Sequence, residues 1–282
     1  DVSLLQPGLT MLEELTGVPV LGVVPYTRVE LDDEDSQAPR LQKTSGSGSI
    51  DIAVIRLPHI SNFTDFAPLE LHPELCVRYV AREKELGHPD LVILPGTKNT
   101  MGDLSWLRGN GLEMAILRLH GAGVPVLGIC GGYQILGSYY KTWDGQQCDF
   151  LGALDLYTVG QKNRMIGNYM YECDDLGGTA VVGFENHSGQ TFLGDGVKPI
   201  GKVLSGYGNN GKDGYEGARY KNVYATYSHG CLLPKNPAVA DMLLSWALTR
   251  KYPGYELPPL EDKLENQAHK YMEERLRAAQ NR

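Results

Sequence analysis

The chain has 282 residues and a formal net charge of −8, with 42% apolar and 21% charged residues. These proportions are ordinary for a soluble globular protein that buries one large core or two modest ones. Because nucleic-acid binding depends on clustered Lys and Arg that release counterions, and no such cluster is present, we expect no nucleic-acid partner.

Cysteine usage points to a reducing compartment. The five cysteines are widely spaced and include no CxxC pair, so neither a disulfide framework nor a metal site is expected. No run approaches 18 apolar residues, and the N-terminus lacks the features of a signal peptide. We therefore expect a cytoplasmic protein without a transmembrane segment.

The pattern of residues 1–48 indicates an extension of the main domain, and not a domain that folds alone. Residues 1–26 indicate a helix around Leu9–Leu15 that ends at Gly17, and then a short strand, VPVLGVVPY. A polar, acidic stretch follows and closes in SGSGS, a composition typical of a flexible linker. We expect a boundary near residue 48, with residues 1–48 outside the main domain.

Residues 49–252 predict a doubly wound α/β domain. Four β-branched runs, IDIAVIRLP, LCVRYV, PDLVILPG and VPVLGIC, alternate with helical or turn segments, which indicates βαβ units and a parallel sheet. Residues 101–123 predict one crossover helix that ends at glycine. The expected fold class is α/β, with a flavodoxin-like, mostly parallel sheet and helices on both faces.

Beyond Gly145 the pattern predicts antiparallel additions. The runs FLGALDLYTVG, RMIGNYMYEC, TAVVGFENH, PIGKVLSGYG and NVYATYSHG are joined by turns rich in Gly, Asn and Asp. A closing helix follows, with Asn236 as its cap and Pro237 in its first turn. Residues 253–282 predict a charged helical tail, either solvated or docked on a partner.

Cys130 lies in VLGICGGYQILG, between a predicted strand and a predicted helix. A strand that ends at Ile129 and turns into a helix near Gly131 places the thiol on a tight elbow. The helix N-terminus would favour the thiolate and offer N–H groups to an oxyanion, and the glycines would leave room for a substrate. This combination predicts a nucleophile.

A thiol nucleophile needs a base from elsewhere in the fold. His229, in YATYSHG, follows a predicted strand and is the leading candidate for general base and then general acid, with His187 in GFENHSG as second choice. Gly96, in LVILPGTKNT, also follows a predicted strand, and its N–H would join that of Gly131 in an oxyanion hole.

Together, GICGGYQ and TYSHG resemble class I (triad-type) glutamine amidotransferases, in the branch that contains cobyric acid synthase and the glutaminase of lipid II isoglutaminyl synthase. Residues 1–137 resemble the end of the synthetase domain and the start of the glutaminase domain of cobyric acid synthase, in LPHISNFTDF and DLVILPGTKNTMGDLSWLR. The resemblance implies that residues 1–48 are the remnant of a synthetase-domain tail with its linker. Residues 139–282 resemble the lipid II glutaminase, in VVGFENHSGQT and GYGNNGKDGYEG. A natural mosaic and a deliberate chimera would give the same pattern.

The resemblance implies that Cys130 attacks the side-chain amide of L-glutamine and that the released ammonia reaches an ATP-dependent synthetase subunit or domain. No GxxxxGK[ST] motif is present, so ATP and Mg are expected on that partner and no cofactor in this chain. By motif, Gly96 and Gly131 would form the oxyanion hole, Gln134 would line the glutamine pocket and Arg164 would clamp the glutamine carboxylate. Glu185 and His187 would lie nearby, in supporting positions.

The sequence departs from many class I members after the catalytic histidine, where Pro and Glu are usual. Here His229 is followed by Gly230 and Cys231. The resemblance therefore implies either a Cys–His dyad or an acid from another segment, such as Glu185.

Two amide acceptors and one non-enzymatic function stay open. We expect a synthetase of the lipid II isoglutaminyl synthase type, because the resemblance over residues 139–282 runs through to the tail, with cobyric acid synthesis as the alternative. A catalytically silent partner-binding module would follow if Cys130 and His229 lay too far apart to share a proton.

Overall fold

The computed structural model describes residues 2–25, 39–230, 232–255, 258 and 260–280. Contacts divide the chain into two compact units, Asp1–Asp33 and Glu34–Arg282. In the first unit, a 3-10 turn leads into α1 (Gln6–Thr16), which ends at Gly17 with a φ of 66°. The predicted helix is confirmed. The predicted strand is wrong over residues 18–25, which pair with no strand among the described residues, and Tyr26 lies outside those residues.

The second unit contains the remaining helices and strands. Its first half comprises β1 (Ile50–Ile55), β2 (Ile60–Ser61), α2 (Ala67–Leu71), β3 (Leu75–Val80), α3 (Glu83–Leu86), β4 (Leu91–Leu94), β5 (Gly96–Thr97), α4 (Thr100–Gly109), α5 (Leu112–Gly121), β6 (Val126–Ile129) and α6 (Gly131–Ile135). Its second half comprises β7 (Tyr139–Lys141), β8 (Gln147–Asp149), β9 (Leu156–Cys173), β10 (Thr179–Leu193), β11 (Gly201–Ser205), β12 (Tyr215–Glu216), β13 (Ala218–Tyr220), β14 (Val223–Thr226), α7 (Leu232–Lys235), α8 (Pro237–Lys251) and α9 (Lys263–Gln280).

A six-stranded sheet with the order β13-β14-β6-β4-β1-β3 forms the core of this unit. All neighbouring strands are parallel except β13, which is antiparallel to β14. Strands β4, β6 and β14 are buried at every position, as strands covered by helices on both faces must be. The prediction that NVYATYSHG is one of the antiparallel additions is wrong. This run forms β14, which is buried and parallel to β6 in the main sheet.

The second sheet contains the antiparallel additions and one parallel pair, β7 with β9. A long hairpin pairs β9 with β10 from Thr179 opposite Cys173 to Leu193 opposite Leu156, and β11 and β7 pair with the other edge of β9. The runs FLGALDLYTVG and RMIGNYMYEC therefore belong to one strand rather than two. Strands β2 and β5 form a separate two-stranded sheet.

The predicted single crossover helix is wrong, because the segment is two helices. Helix α4 ends at Gly109 and α5 begins at Leu112. Between them, Gly111 has a φ of 72°, which a right-handed helix does not allow.

The SGSGS stretch is not a flexible linker in the structure. The Tyr79 N–H donates to the Lys43 carbonyl at 2.7 Å, and a Cβ on Gly48 would lie 2.7 Å from the Cys76 nitrogen. Residues 43–48 therefore lie against β3. The acidic part of the predicted linker, residues 31–38, lies outside the described residues.

Helix α8 begins at Pro237 as predicted, but Asn236 does not cap it with its side chain. That amide instead accepts from the Val182 N–H at 2.9 Å and donates to the Val182 carbonyl at 2.8 Å, which ties the helix to β10. Helix α9 packs Leu276 against Met170 and Val182 of the hairpin. None of the helices in the described part of the chain is long and apolar enough to cross a membrane.

Candidate active site

Cys130 occupies a strained turn between β6 and α6, as the sequence predicted. Its φ of 49° and ψ of −107° are unusual for a residue with a side chain. Its N–H donates to the Thr226 carbonyl at 2.8 Å, and its own carbonyl accepts from the Gln134 N–H at 3.1 Å. The backbone on both sides therefore holds the thiol at the carboxyl edge of the parallel sheet.

The glycines after Cys130 are required by packing within the protein. A Cβ on Gly132 would lie 2.0 Å from the Leu94 carbonyl oxygen, and one on Gly131 would lie 2.5 Å from Cγ2 of Thr97. Helix α6 thus rests directly on the backbone that follows β4. The prediction that these glycines leave room for a substrate is corrected for Gly132, whereas Gly131 does line the cavity beside the thiol.

Beside the elbow lies a cavity of about 410 Å³, a size that suits a small metabolite. The predicted site residues that line it are Cys130, Gly131, Gln134, Arg164, His187 and His229. Gly96 and Glu185 are not among its described lining residues. The sequence analysis missed the other lining residues, which are Ser61, Asn62, Thr97, Lys98, Thr100, Tyr140, Asn186 and Ser188.

A sequence signal existed for some of these missed residues. Thr97, Lys98 and Thr100 follow the carboxyl end of β4, and ligands of open α/β sheets bind at that edge. Tyr140, Asn186 and Ser188 belong to the second sheet or border it, and only the tertiary fold brings them to the thiol.

The charged side chains at the cavity favour an anionic group in the ligand. Lys98 and Arg164 line it, and no carboxylate does so among the described residues. The Arg164 Nε donates to Oδ1 of Asn186 at 2.8 Å and its Nη2 to the Asn186 carbonyl at 3.1 Å. Because Asn186 occupies this edge of the guanidinium, a bound carboxylate would use the edge that carries Nη1.

Gln134 is held at both ends of its amide. Its Nε2 donates to the Tyr227 hydroxyl at 3.1 Å, and its Oε1 accepts from the Thr100 hydroxyl at 3.3 Å. The Tyr227 ring stacks on His187 with 3.5 Å between ring centroids. These contacts fix the side chains of Gln134 and His187 at the cavity before any ligand arrives.

His229 is 7% exposed and is held through its backbone, which pairs with Phe184 through two hydrogen bonds of 3.1 Å. Its Nδ1 is buried without a hydrogen-bond partner among the described residues. Burial, and then the nearby His187 and Arg164, lower the pKa of His229 to about 4. The ring is therefore neutral at pH 7, the form in which it can accept a proton.

Burial favours the protonated form of the Cys130 thiol. Burial raises the pKa of Cys130 to about 11, although the Gly131 N–H and the Arg164 charge act in the opposite direction. The helix N-terminus predicts a thiolate, but burial outweighs that effect here. The resting pair is thus a thiol and a neutral imidazole.

Glu185 does not contact His229 in the described residues. Its carboxylate accepts from the Tyr207 N–H at 2.7 Å and the Gly208 N–H at 3.0 Å, and it lies 3.5 Å from Nε2 of His187. No contact among the described residues therefore supports the hypothesis that Glu185 orients the His229 ring, and the alternative of a Cys–His dyad stays a prediction. Gly96 pairs with Ser61 between β5 and β2, next to the cavity wall.

Cys130 lies on a strained elbow of the doubly wound sheet, and the neutral His229 lines the same cavity, an arrangement that suits a thiol nucleophile and its base. The family model of the CobB/CobQ-like glutamine amidotransferase domain matches residues 51–237. The chain belongs to this family and is a class I glutamine amidotransferase, as the sequence predicted.

Curated relatives indicate the branch of the family. Cobyric acid synthase of Ruminiclostridium cellulolyticum is 44% identical over 241 residues, which cover 82% of this chain and 47% of the relative. That of Photorhabdus laumondii is 45% identical over 248 residues, which cover 82% and 48%. The chain spans about half the length of the curated relatives it matches. Since these matches and the family match extend past residue 137, they give no support to the predicted change of family there.

Solved structures confirm the fold class. A crystal structure of a glutamine amidotransferase is similar with a TM-score of 0.52 and 19% identity, over 70% of this chain and 98% of that chain. A chain in the structure of PurLQS from Thermotoga maritima gives a TM-score of 0.52 with 16% identity, over 72% and 97%. At 19% and 16% identity, this similarity shows the fold alone.

Proposed function

We propose that this chain hydrolyses L-glutamine to glutamate and ammonia, and that it supplies the ammonia to an ATP-dependent synthetase that amidates corrinoid carboxylates. The observation that carries the hydrolysis is the placement of Cys130, on its strained elbow, and His229 at one cavity. The acceptor is supported by the two relatives, both of them cobyric acid synthases.

In the proposed reaction, His229 accepts the thiol proton while Sγ of Cys130 attacks the side-chain carbonyl carbon of glutamine. Because the pKa of the thiol lies far above that of the imidazole, proton transfer accompanies the attack rather than preceding it. His229 then returns the proton to the amide nitrogen of the tetrahedral intermediate. Ammonia departs, and a cysteinyl thioester remains on Cys130. Water, deprotonated by His229, attacks the thioester carbon, and glutamate leaves as the thiol regains its proton.

The rest of the cavity binds and orients the substrate. The free edge of Arg164 and the Lys98 ammonium would hold the α-carboxylate of glutamine. The Gly131 N–H, at the start of α6, would donate to the oxyanion of the tetrahedral intermediate, with Gly96 as the second donor predicted from sequence. Gln134, fixed by Tyr227, would complete the pocket.

The hydrolysis is tested by measuring glutamate and ammonia release. We expect Cys130→Ala and His229→Asn to reduce kcat at least about 1000-fold. Cys148→Ala is the matched control, since Cys148 is a half-buried free thiol outside the cavity. Hydrolysis that survives in Cys130→Ala, or a parent protein without any hydrolysis in the presence of its synthetase, would refute the proposal and favour a silent binding module.

The acceptor is tested by reconstitution with two synthetases, both supplied with ATP and Mg. The cobyric acid type is expected to amidate its corrinoid substrate with glutamine as the nitrogen donor. The lipid II type, expected from the resemblance of residues 139–282, is the rival. Amidation of lipid II alone would overturn the corrinoid assignment and leave the glutaminase intact.

The cell compartment is part of the same proposal. The free thiols Cys76, Cys130, Cys148 and Cys173 support a reducing cytoplasm as the compartment of the proposed reaction. Synthetase and glutaminase would meet there. Fractionation of the native host with an antibody against this chain tests the assignment.

A further inference from the structure

Glu216, in β12, is a buried carboxylate with no assigned role. Its side chain has no exposure, and no cation lies within ion-pair distance of it in the described part of the chain. Burying a carboxylate without a countercharge costs free energy. A buried carboxylate that is present despite this cost is a candidate for a functional role.

Glu216 binds the segment that leads to the catalytic histidine. Its Oε1 accepts from the Thr226 hydroxyl at 2.8 Å and from the Tyr227 N–H at 2.8 Å. The Thr226 hydroxyl oxygen in turn accepts from the Ser228 N–H at 2.8 Å. The three residues before His229 are therefore bound to this carboxylate, directly or through one hydroxyl.

The same segment also holds the nucleophile. The carbonyl of Thr226 accepts the Cys130 N–H at 2.8 Å, and the Tyr227 hydroxyl accepts from Gln134 of α6. Residues 226–228 thus connect the base, the nucleophile and the glutamine pocket, and Glu216 fixes their conformation from the buried side.

We propose that Glu216 is a positioning residue, which holds His229 in register with Cys130 by binding Thr226 and Tyr227. This inference rests on the proposed glutaminase, in which His229 exchanges a proton with the thiol. It gives the site an acid that binds the segment before His229 and not the imidazole ring.

Glu216 would also give the reaction a pH dependence. Burial raises the pKa of Glu216 to about 7, with Glu185 adding to the shift and the bonds from Tyr227 and Thr226 opposing it. An ionised carboxylate is the stronger acceptor, so activity should rise as the pH increases through 7. The other titratable groups that face it are Cys130 of the elbow, Tyr133 of α6, and Tyr169 and Tyr171 of β9.

The test compares Glu216→Leu, which removes the acceptor oxygen, with Glu216→Gln, which keeps an uncharged one. In Glu216→Leu we expect kcat for glutamine hydrolysis to fall about 10- to 100-fold, with KM within about twofold, because the defect is alignment of the reacting groups. Glu216→Gln should retain kcat within about threefold of the parent at pH 8, and its rate should no longer change around pH 7. Glu274→Leu, on an exposed face of α9, is the control.

Folding of each variant is checked by thermal unfolding. If Glu216→Leu does not fold, Thr226→Val removes the hydroxyl link to Ser228 and should lower kcat at least about threefold. Folded Glu216→Leu or Thr226→Val with the parent kcat, or Glu216→Gln as impaired as Glu216→Leu, would overturn the positioning role. A parent enzyme that hydrolyses no glutamine would instead refute the proposed function.

Discussion

Gly132→Ala tests whether α6 must rest on the backbone that follows β4. The added methyl would lie 2.0 Å from the Leu94 carbonyl oxygen and 2.6 Å from the Pro95 carbonyl oxygen, whereas real Cβ contacts stay beyond 3.0 Å. Both neighbours are backbone atoms, so no side-chain rotation relieves the overlap. The elbow must therefore shift by about 1 Å or more.

A shift of that size should impair both stability and catalysis. Overpacking costs about 1–3 kcal/mol of the free energy of unfolding, and a 1 Å displacement of a reacting group costs about 100-fold in rate. Urea unfolding and steady-state hydrolysis of glutamine measure the two effects. The control is Gly121→Ala in α5, where an added Cβ meets no atom within 4 Å. Gly132→Ala with the stability and kcat of this control would show that the packing argument for the elbow is wrong.

Three further outcomes are expected. Arg164→Met should raise KM for glutamine about 10- to 100-fold with a smaller change in kcat, because a charge-assisted bond to the substrate carboxylate is lost; an unchanged KM would exclude the clamp. The pKa of His229 is lowered from 6.5 to about 4, so the unfolded chain binds a proton in that range that the folded chain does not. Stability present above pH 6.5 should therefore fall by about 3 kcal/mol in total as the pH decreases to 4. His229→Gln should remove this decrease in urea titrations, and a curve parallel to that of the parent would contradict it. Asn236→Ala should cost about 2–4 kcal/mol, because the buried N–H and carbonyl of Val182 lose their partner; a loss below about 0.5 kcal/mol would contradict this.

The sequence was sufficient for the parallel sheet and for the nucleophile elbow. Continuous apolar runs such as LVIL and VLGI predict buried strands, and they form β4 and β6. The two glycines after Cys130 predict a sharp turn, and the φ of 49° at Cys130 confirms it. These features depend on residues that are close together in the chain.

The errors arose where distant residues decide the structure. Asn236 was predicted as a helix cap from its position before Pro237, yet its amide binds Val182, which lies 54 residues away in the chain. The thiolate was expected from the helix N-terminus, yet burial by the surrounding fold raises the pKa of Cys130. Glu216 was not singled out, because its partner Thr226 is recognised only when β12 and β14 are seen together.

The amide acceptor could not be decided from motifs, because residues that bind glutamine are shared by enzymes with different synthetases. The lipid II system was favoured on the resemblance of residues 139–282. The relatives at 44% and 45% identity support the corrinoid alternative instead. The distinction lies in the partner, and only reconstitution can reveal it.

The most direct test of the central claim is covalent labelling by a glutamine analogue with a diazoketone in place of its carboxamide. We expect peptide mass spectrometry to find one adduct per chain, on Cys130, with labelling slowed by excess L-glutamine and by His229→Asn. Folded protein in which Cys130 stays unmodified, or in which the label falls on another cysteine, would contradict the assignment of this thiol as the nucleophile.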